Sequence, residues 1–389
     1  LGGKEVLPRL RCALPLALAS TLVALSATPA AAAPIALGAY VPGASEHPGL
    51  IDGFAHQAGR KPVIVLSYKN WSSLPFDRAE FDSIWRRGAV PMITWEPRTS
   101  HGRGFPLRAI AAGRFDRYLR RAAGSARLWG KPLFVRFAHE MNGTWYPWGR
   151  GVGGNTARDF RKAWKHVVDL FRFHGATNVK WVWSPNEDSG GSLQFGPLYP
   201  GDEWVDWVAM DGFDFGGSVG WPSFTALFGS TYDRLAKLTG RPMMIAETGA
   251  NEEGGDKADW ILSALGREAP RFSHIRALVW FNAGKSNGDF RINSSAASLG
   301  AFRRAVASPT YDATRHTLLT TPATLPGGSV APEPPDSGYG APSFLEQLQQ
   351  KLHGKYLWLA GALAVLALVA AAAVVAALLR RSRRTRAPA

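Results

Sequence analysis

The chain has 389 residues, 46% apolar and 19% charged, so it is neither disordered nor fibrous and is long enough for one large domain or two small ones. Its single cysteine, Cys12, excludes a disulfide framework and any cysteine-rich zinc module. The net charge of +15 suggests nucleic acid at first sight, but residues 1–33 and 351–389 hold most of the excess, and the segment between them is only mildly basic. No nucleic-acid partner is expected.

In chain order, residues 1–33 present a short basic stretch, the apolar run Ala13–Leu25 and the small residues Ala30–Ala33, the three-part layout of a secretory signal. Residues 34–320 then carry eight apolar runs rich in β-branched or aromatic residues: Ile35–Val41, Pro62–Tyr68, Ala89–Trp95, Pro132–Ala138, Val179–Trp183, Trp207–Phe213, Pro242–Ala246 and Ile275–Phe281. Segments of helical spacing lie between them. The clearest sets Phe160, Trp164, Val167, Val168 and Phe171 on one face behind a Thr156/Asp159 capping pair. Others cover Phe115–Ala123, Phe224–Leu238 and Asp256–Leu265. Near-continuous apolar strands alternating with helices predict a parallel sheet covered on both faces, and eight of them predict an α/β fold of the (β/α)8 TIM-barrel type. An open doubly wound sheet is the alternative.

Residues 321–342 are rich in Pro, Gly and Ser and read as a linker. Ser343–Glu346 reads as a capping box opening a short amphipathic helix over 343–355. Tyr356–Leu379 contains no charged residue, and about 20 such residues cross a ~30 Å hydrocarbon layer, so 356–379 reads as a transmembrane helix. The arginine-rich tail at 380–389 would stay on the cytoplasmic side, leaving the 34–320 domain outside the cell on a single-pass anchor. Leu325-Pro326-Gly327-Gly328 loosely resembles a sortase signal, but it lacks the threonine and the apolar run starts too far downstream.

In such barrels the chemistry sits where strands end. The fourth apolar run leads into Arg136-Phe137-Ala138-His139-Glu140-Met141-Asn142-Gly143-Thr144-Trp145, with Trp148 beyond it, and the seventh into Glu247-Thr248-Gly249. Two glutamates at two mouths can face one cavity. Retaining glycosidases use such a pair, ~5–5.5 Å apart, one as nucleophile and one as acid then base. Trp71, Trp95, Trp145, Trp148, Trp183, Phe213 and Trp280 also stand near strand ends, and aromatic rings beside paired acids suit the C–H faces of sugars. Arg136 is placed to point inward, either toward a ligand or as the buried partner of a carboxylate. Glu96 and Asp211 end strands too and read as support.

The stretch Arg136–Gly149 resembles the acid/base motif of glycoside hydrolase family 26, and Met92–Pro97, Trp181–Asn186 and Trp207–Gly212 are similar to the same family. The resemblance covers most of 35–290 and implies a (β/α)8 barrel of the endo-β-mannanase or β-glucanase type, needing no cofactor and no metal. It implies Glu140 as acid/base, Glu247 as nucleophile, His139 as a ligand of the sugar next to the scissile bond, and Trp145 and Trp280 as platforms. Trp95, Trp148, Trp183 and Arg136 complete the expected substrate contacts. One departure stands out: the family often has a tyrosine after strand six that hydrogen-bonds the nucleophile, and Phe213 stands there, without a hydroxyl.

Rival motifs fail on their residues. A zinc motif from His139-Glu140 needs a histidine at 143, where Gly143 sits. The glycines of Gly149–Gly154 follow a motif loop and not a strand, so they predict no nucleotide site, and no Gly-x-Ser-x-Gly elbow exists. Asn293-Ser294-Ser295 matches a glycosylation acceptor. The expected activity is endo-hydrolysis of a β-linked polysaccharide, mannan first, with mixed-linkage glucan or a self-made exopolysaccharide that the enzyme trims or transfers as alternatives. A non-catalytic glycan-binding barrel is the rival from another class.

Overall fold

The computed structural model of the protein describes residues 2–3, 33–188, 194–217, 220–285 and 287–327. Eight parallel strands close into a barrel in sequence order: β1 (Ala36–Tyr40), β2 (Ile64–Asn70), β3 (Val90–Glu96), β4 (Leu133–Phe137), β5 (Val179–Trp183), β6 (Trp207–Asp214), β7 (Met243–Ala250) and β8 (Ile275–Phe281). Each falls on one of the eight predicted runs, and the open doubly wound alternative is excluded by the pairing of β1 with β8. The leader, most of the linker, the juxtamembrane helix, the apolar run 356–379 and the basic tail lie outside the described residues. Among the described residues no helix is long and apolar enough to cross a membrane.

The crossovers are α1 (Gly49–Ala58), α2 (Arg78–Arg86), α3 (Leu107–Ala111) with α4 (Asp116–Trp129), α5 (Ala157–Phe173), α6 (Phe224–Leu238), α7 (Lys257–Ser263) and α8 (Ala296–Val306), and α9 (Arg315–Leu319) ends the domain. Between β5 and β6 the described residues form only short 3-10 turns, Gly196–Leu198 and Asp202–Trp204. The capping box is present: Thr156 Oγ1 accepts the Asp159 amide, and the Asp159 carboxylate accepts the Thr156 amide. Removing such a cap costs about 1 kcal/mol, a minor share beside the apolar face that α5 buries.

Two apolar layers follow from the alternation of strand side chains. Ala36, Ile64, Leu66, Val90, Met92, Phe134, Val182, Ala209, Met244, Ala277 and Val279 fill the barrel interior. Their strand neighbours face the helices in a second, larger layer, which includes Trp95, Trp183 and Trp280. At Gly38 the interior has no room for a side chain: a Cβ there would stand 2.7 Å from Val279 and 3.0 Å from Ile64.

β7 breaks the alternation. Relative to both β6 and β8 it carries one extra residue between Ile245 and Thr248. A bulge of this kind re-aims the following side chain. Ala246 packs in the interior layer, and Glu247 behind it still turns inward, to the Arg136 guanidinium.

Candidate active site

A cavity of about 350 Å³ opens at the C-terminal mouth of the barrel, with both Glu140 and Glu247 in its wall. Trp145, Tyr146, Asn186, Glu187, Phe213 and Phe215 line it, and Lys285, Asn287 and Phe290 close one side. The last three belong to the loop after β8, which carries the small hairpin of β9 (Gly284–Lys285) and β10 (Gly288–Asp289).

Glu140 stands on a strained turn. Ala138 and Glu140 have φ of 46° and 49°, a region that residues with a Cβ seldom occupy and that collects at functional sites. The Glu140 amide donates to Ser184 O at 2.7 Å, tying the turn to the end of β5. Burial, and then the charge of Glu247, push the Glu140 carboxyl up to about 7. Trp145 Nε1 donates to Glu140 Oε2 at 2.5 Å, while the indole is 49% exposed. The ring lies over Gly143, where a Cβ would meet it at 2.4–2.6 Å. Gly143→Ala should therefore displace Trp145 and lower kcat/KM on a polysaccharide roughly tenfold, with unfolding temperature nearly unchanged. Equal kinetics in this variant would mean that Trp145 has no part in the reaction.

Arg136 is the hub of the polar floor. It is fully buried; its guanidinium donates to Asp211 Oδ1 at 2.6 Å and Thr94 Oγ1 at 2.7 and 3.0 Å, and pairs with Glu247. Although burial works against its charge, the two carboxylates hold Arg136 above its ordinary range. Of the two roles open to Arg136, the structure has the buried ion pair. A guanidinium engaged on all sides beneath the cavity positions Glu247 and offers no face to a ligand.

The hydroxyl missing at Phe213 comes from another strand. Tyr68, on β2, brings its hydroxyl to the side of Glu247, and burial, then the Glu247 charge, keeps that hydroxyl protonated. Barrel closure through the β1–β8 pairing brings β2 within three strands of β7.

Several expected sugar contacts are turned away from the cavity. Trp95, Trp183 and Trp280 are fully buried, each on the strand face that packs against helices: Trp95 meets Phe171 at 5.7 Å, Trp183 meets Tyr199 at 5.0 Å, and Trp280 meets Phe302 at 5.2 Å. Trp148 is 1% exposed, stacks on Tyr146 at 4.6 Å and donates to His139 O at 2.6 Å. Trp71 is buried against Phe105 in the same manner. His139 sits behind Tyr146, its Nε2 3.1 Å from that hydroxyl, and burial followed by the Arg136 charge keeps it neutral. Tyr146, and not His139, is in the wall of the cavity. Glu96 is engaged by Arg98 at 2.8 Å, and Asp211 by Arg136, so both are supports.

Tyr68, Tyr146, Asn186, Glu187, Phe215, Lys285, Asn287 and Phe290 were not singled out by the sequence as site residues. Glu187 is a third carboxylate in the wall, 6% exposed, placed by its amide donating to Asp211 O at 2.9 Å. Gly212 makes room for it, since a Cβ there would lie 3.0 Å from Glu187 Cγ and 2.7 Å from Phe228.

A barrel with one glutamate at the mouth of β4, another at that of β7, and both in the wall of one cavity has the layout of the barrel glycosidases. Residues 117–277, which include both glutamates, match the model of "Glycosyl hydrolase family 26". The domain belongs to that family. The chain is 37% identical over 278 residues to Endoglucanase H of Acetivibrio thermocellus, covering 69% of this chain and 30% of that protein. It is 26% identical over 181 residues to a mannan endo-1,4-beta-mannosidase of Bifidobacterium adolescentis, covering 42% and 18% respectively. It thus spans less than a third of either relative. Among solved structures, the catalytic domain of the Bacillus sp. JAMB-750 endo-beta-1,4-mannanase superposes with a TM-score of 0.57 at 20% identity, covering 73% of this chain and 88% of that one, a likeness of fold.

Proposed function

We propose that the domain is an endo-acting hydrolase of a β-linked polysaccharide that works by double displacement with retention. The observation that carries this reading is that two glutamates share one cavity in unlike surroundings, one bonded to Trp145 and one paired with Arg136. Glu140 is held near 7, so it keeps its proton in mildly acidic solution, while Glu247 is paired with the buried Arg136 guanidinium. A protonated acid and a paired carboxylate are the starting states that a retaining glycosidase requires. Glu140 gives its proton to the leaving oxygen as Glu247 attacks the anomeric carbon. The ionised Glu140 then takes a proton from water, which releases the sugar from Glu247. Trp145, exposed and bonded to Glu140, is the platform beside the proton donor.

The 37% relative is named an endoglucanase, and this moves the favoured substrate from mannan to a β-glucan. Mannan is the second reading, supported by the mannosidase relative. The deciding experiment follows new reducing ends on mannan, galactomannan, glucomannan, mixed-linkage glucan and xylan with the full chain and with Glu140→Ala. Release on mixed-linkage glucan above mannan, lost in the variant, is the expected result. Glycan binding without release in the wild type would support the binding-module rival instead.

The pH profile is a second check. Since the acid form of Glu140 is the active one, kcat/KM should fall about tenfold per pH unit above roughly 7. A flat profile from pH 6 to 9 would remove Glu140 from the role of acid.

Residues 1–33 as a secretory signal and 356–379 as a membrane span complete the proposal: the domain stands outside the cell, anchored through its C-terminal segment, with the arginine-rich tail inside. The composition of those segments supports this part of the reading.

A further inference from the structure

Each helix of the barrel runs against its strand, so the helix C-termini gather at the base, opposite the mouth that holds Glu140 and Glu247. Exposed cations stand in the last turns there: Arg86 on α2, Arg127 on α4, Arg172 on α5, Lys237 on α6 and Arg304 on α8. Cations at helix C-termini offset the helix dipole, which accounts for the charge by itself. It does not account for the two most exposed large apolar side chains of the described residues, Leu128 at 73% and Phe173 at 86%, which stand at the same end.

These two belong to neighbouring helix ends. Asn178, just past α5, donates to Ala126 O at 2.8 Å and Lys131 O at 2.9 Å at the end of α4, and a Cβ on Gly175 would lie 3.1 Å from Arg127 Cδ. Leu128 and Phe173 thus project from one side of the base, each next to an exposed arginine. The domain's C-terminal segment leaves from this end as well. Leu325 donates its amide to Gly240 O, Arg241 donates to Ala323 O, and His274 meets Pro326 O, all at the residues that lead into β7 and β8.

We propose that the base of the barrel around Leu128 and Phe173 docks on an anionic lipid surface, with Arg127 and Arg172 at the headgroups and the mouth turned away. Apolar side chains flanked by cations bind such surfaces by insertion and by charge together. The described chain runs to Gly327 at this end, which lets a tether formed by 356–379 sit on the same side, and the inference rests on the anchor reading in that respect alone. The cavity then faces outward, toward polymer beyond the membrane.

The test mixes the full chain with phosphatidylcholine vesicles or with vesicles of phosphatidylglycerol and phosphatidylcholine, and reads sedimentation and amide hydrogen exchange. Exchange in 121–131 and 170–178 should slow several-fold on the anionic vesicles only. That slowing should vanish in the pair Arg127→Glu/Arg172→Glu and in Leu128→Ser/Phe173→Ser, with hydrolysis of a soluble oligosaccharide unchanged. Sedimentation with both vesicle types but identical exchange on the two would keep the tether and overturn the docking face. Sedimentation with anionic vesicles alone, with slowed exchange, would keep the face and overturn the tether. Sedimentation with neither overturns both, and equal slowing by soluble polyphosphate would make the base a polyanion site instead.

Discussion

Glu247→Ala should abolish release of reducing ends, lowering kcat by about 10^4-fold or more, while the barrel stays folded. On the proposed mechanism the attacking oxygen is gone, and water in the vacated space is a poor nucleophile without a base beside it. The chemistry of the variant separates double displacement from a single one. Sodium azide with an aryl glycoside that has a good leaving group should restore turnover, because azide enters where the carboxylate stood and attacks the anomeric carbon. The product should be a glycosyl azide of inverted configuration, with the aryl oxygen leaving as the C–N bond forms. In Glu140→Ala the same azide should instead give a product of retained configuration, since it intercepts the glycosyl-enzyme that Glu247 still forms. Full activity of Glu247→Ala on polysaccharide would overturn the assignment of the nucleophile, and an inverted product from wild-type enzyme would overturn retention.

The strands were legible because β-strands buried on both faces leave a compositional trace that needs no partner to be read. β5 and β8 coincide with the predicted runs, and the others shift by a few residues at their ends. The helices were less legible. α1 and α8 have modest apolar faces, with Ile51, Phe54 and Ala58 buried on the first and Ala301, Phe302, Ala305 and Val306 on the second, among small residues that blur the period. The aromatic lining was misjudged for a reason the sequence already contained. On β3, Thr94 bonds the inward Arg136, so Trp95 next to it must face the helices; on β8, Val279 and Phe281 face inward, so Trp280 cannot. Glu247 defeats the same rule, because the bulge in β7 is invisible to a strict two-residue period. The pairing of Tyr68 with Glu247 needs the closed barrel and has no local signature.

Arg136→Met should destabilise the folded protein by about 3–5 kcal/mol near neutral pH, because it leaves Asp211 and Glu247 facing each other, buried and without a cation. Asp211 is fully buried and Glu247 nearly so, which leaves water little access to screen them. For a domain of this size the loss corresponds to a fall in Tm of about 5–10 °C. The sign of its pH dependence is fixed by the same charges. Without Arg136 the two buried carboxylates face each other with no cation between them, a repulsion that protonation relieves, so the deficit should be small near pH 4 and grow as pH rises. Arg136→Lys should recover part of the stability, since it keeps the charge and loses the forked geometry. Activity separates positioning from packing: in Arg136→Met, where Glu247 loses its cation, kcat/KM should fall and its pH profile should change, and the lysine variant should restore both in part. Thermal unfolding of the three proteins across pH 4–8 measures the first effect and pH–rate profiles the second. A methionine variant with wild-type Tm at pH 8 would show that Arg136 does not hold the two carboxylates in place.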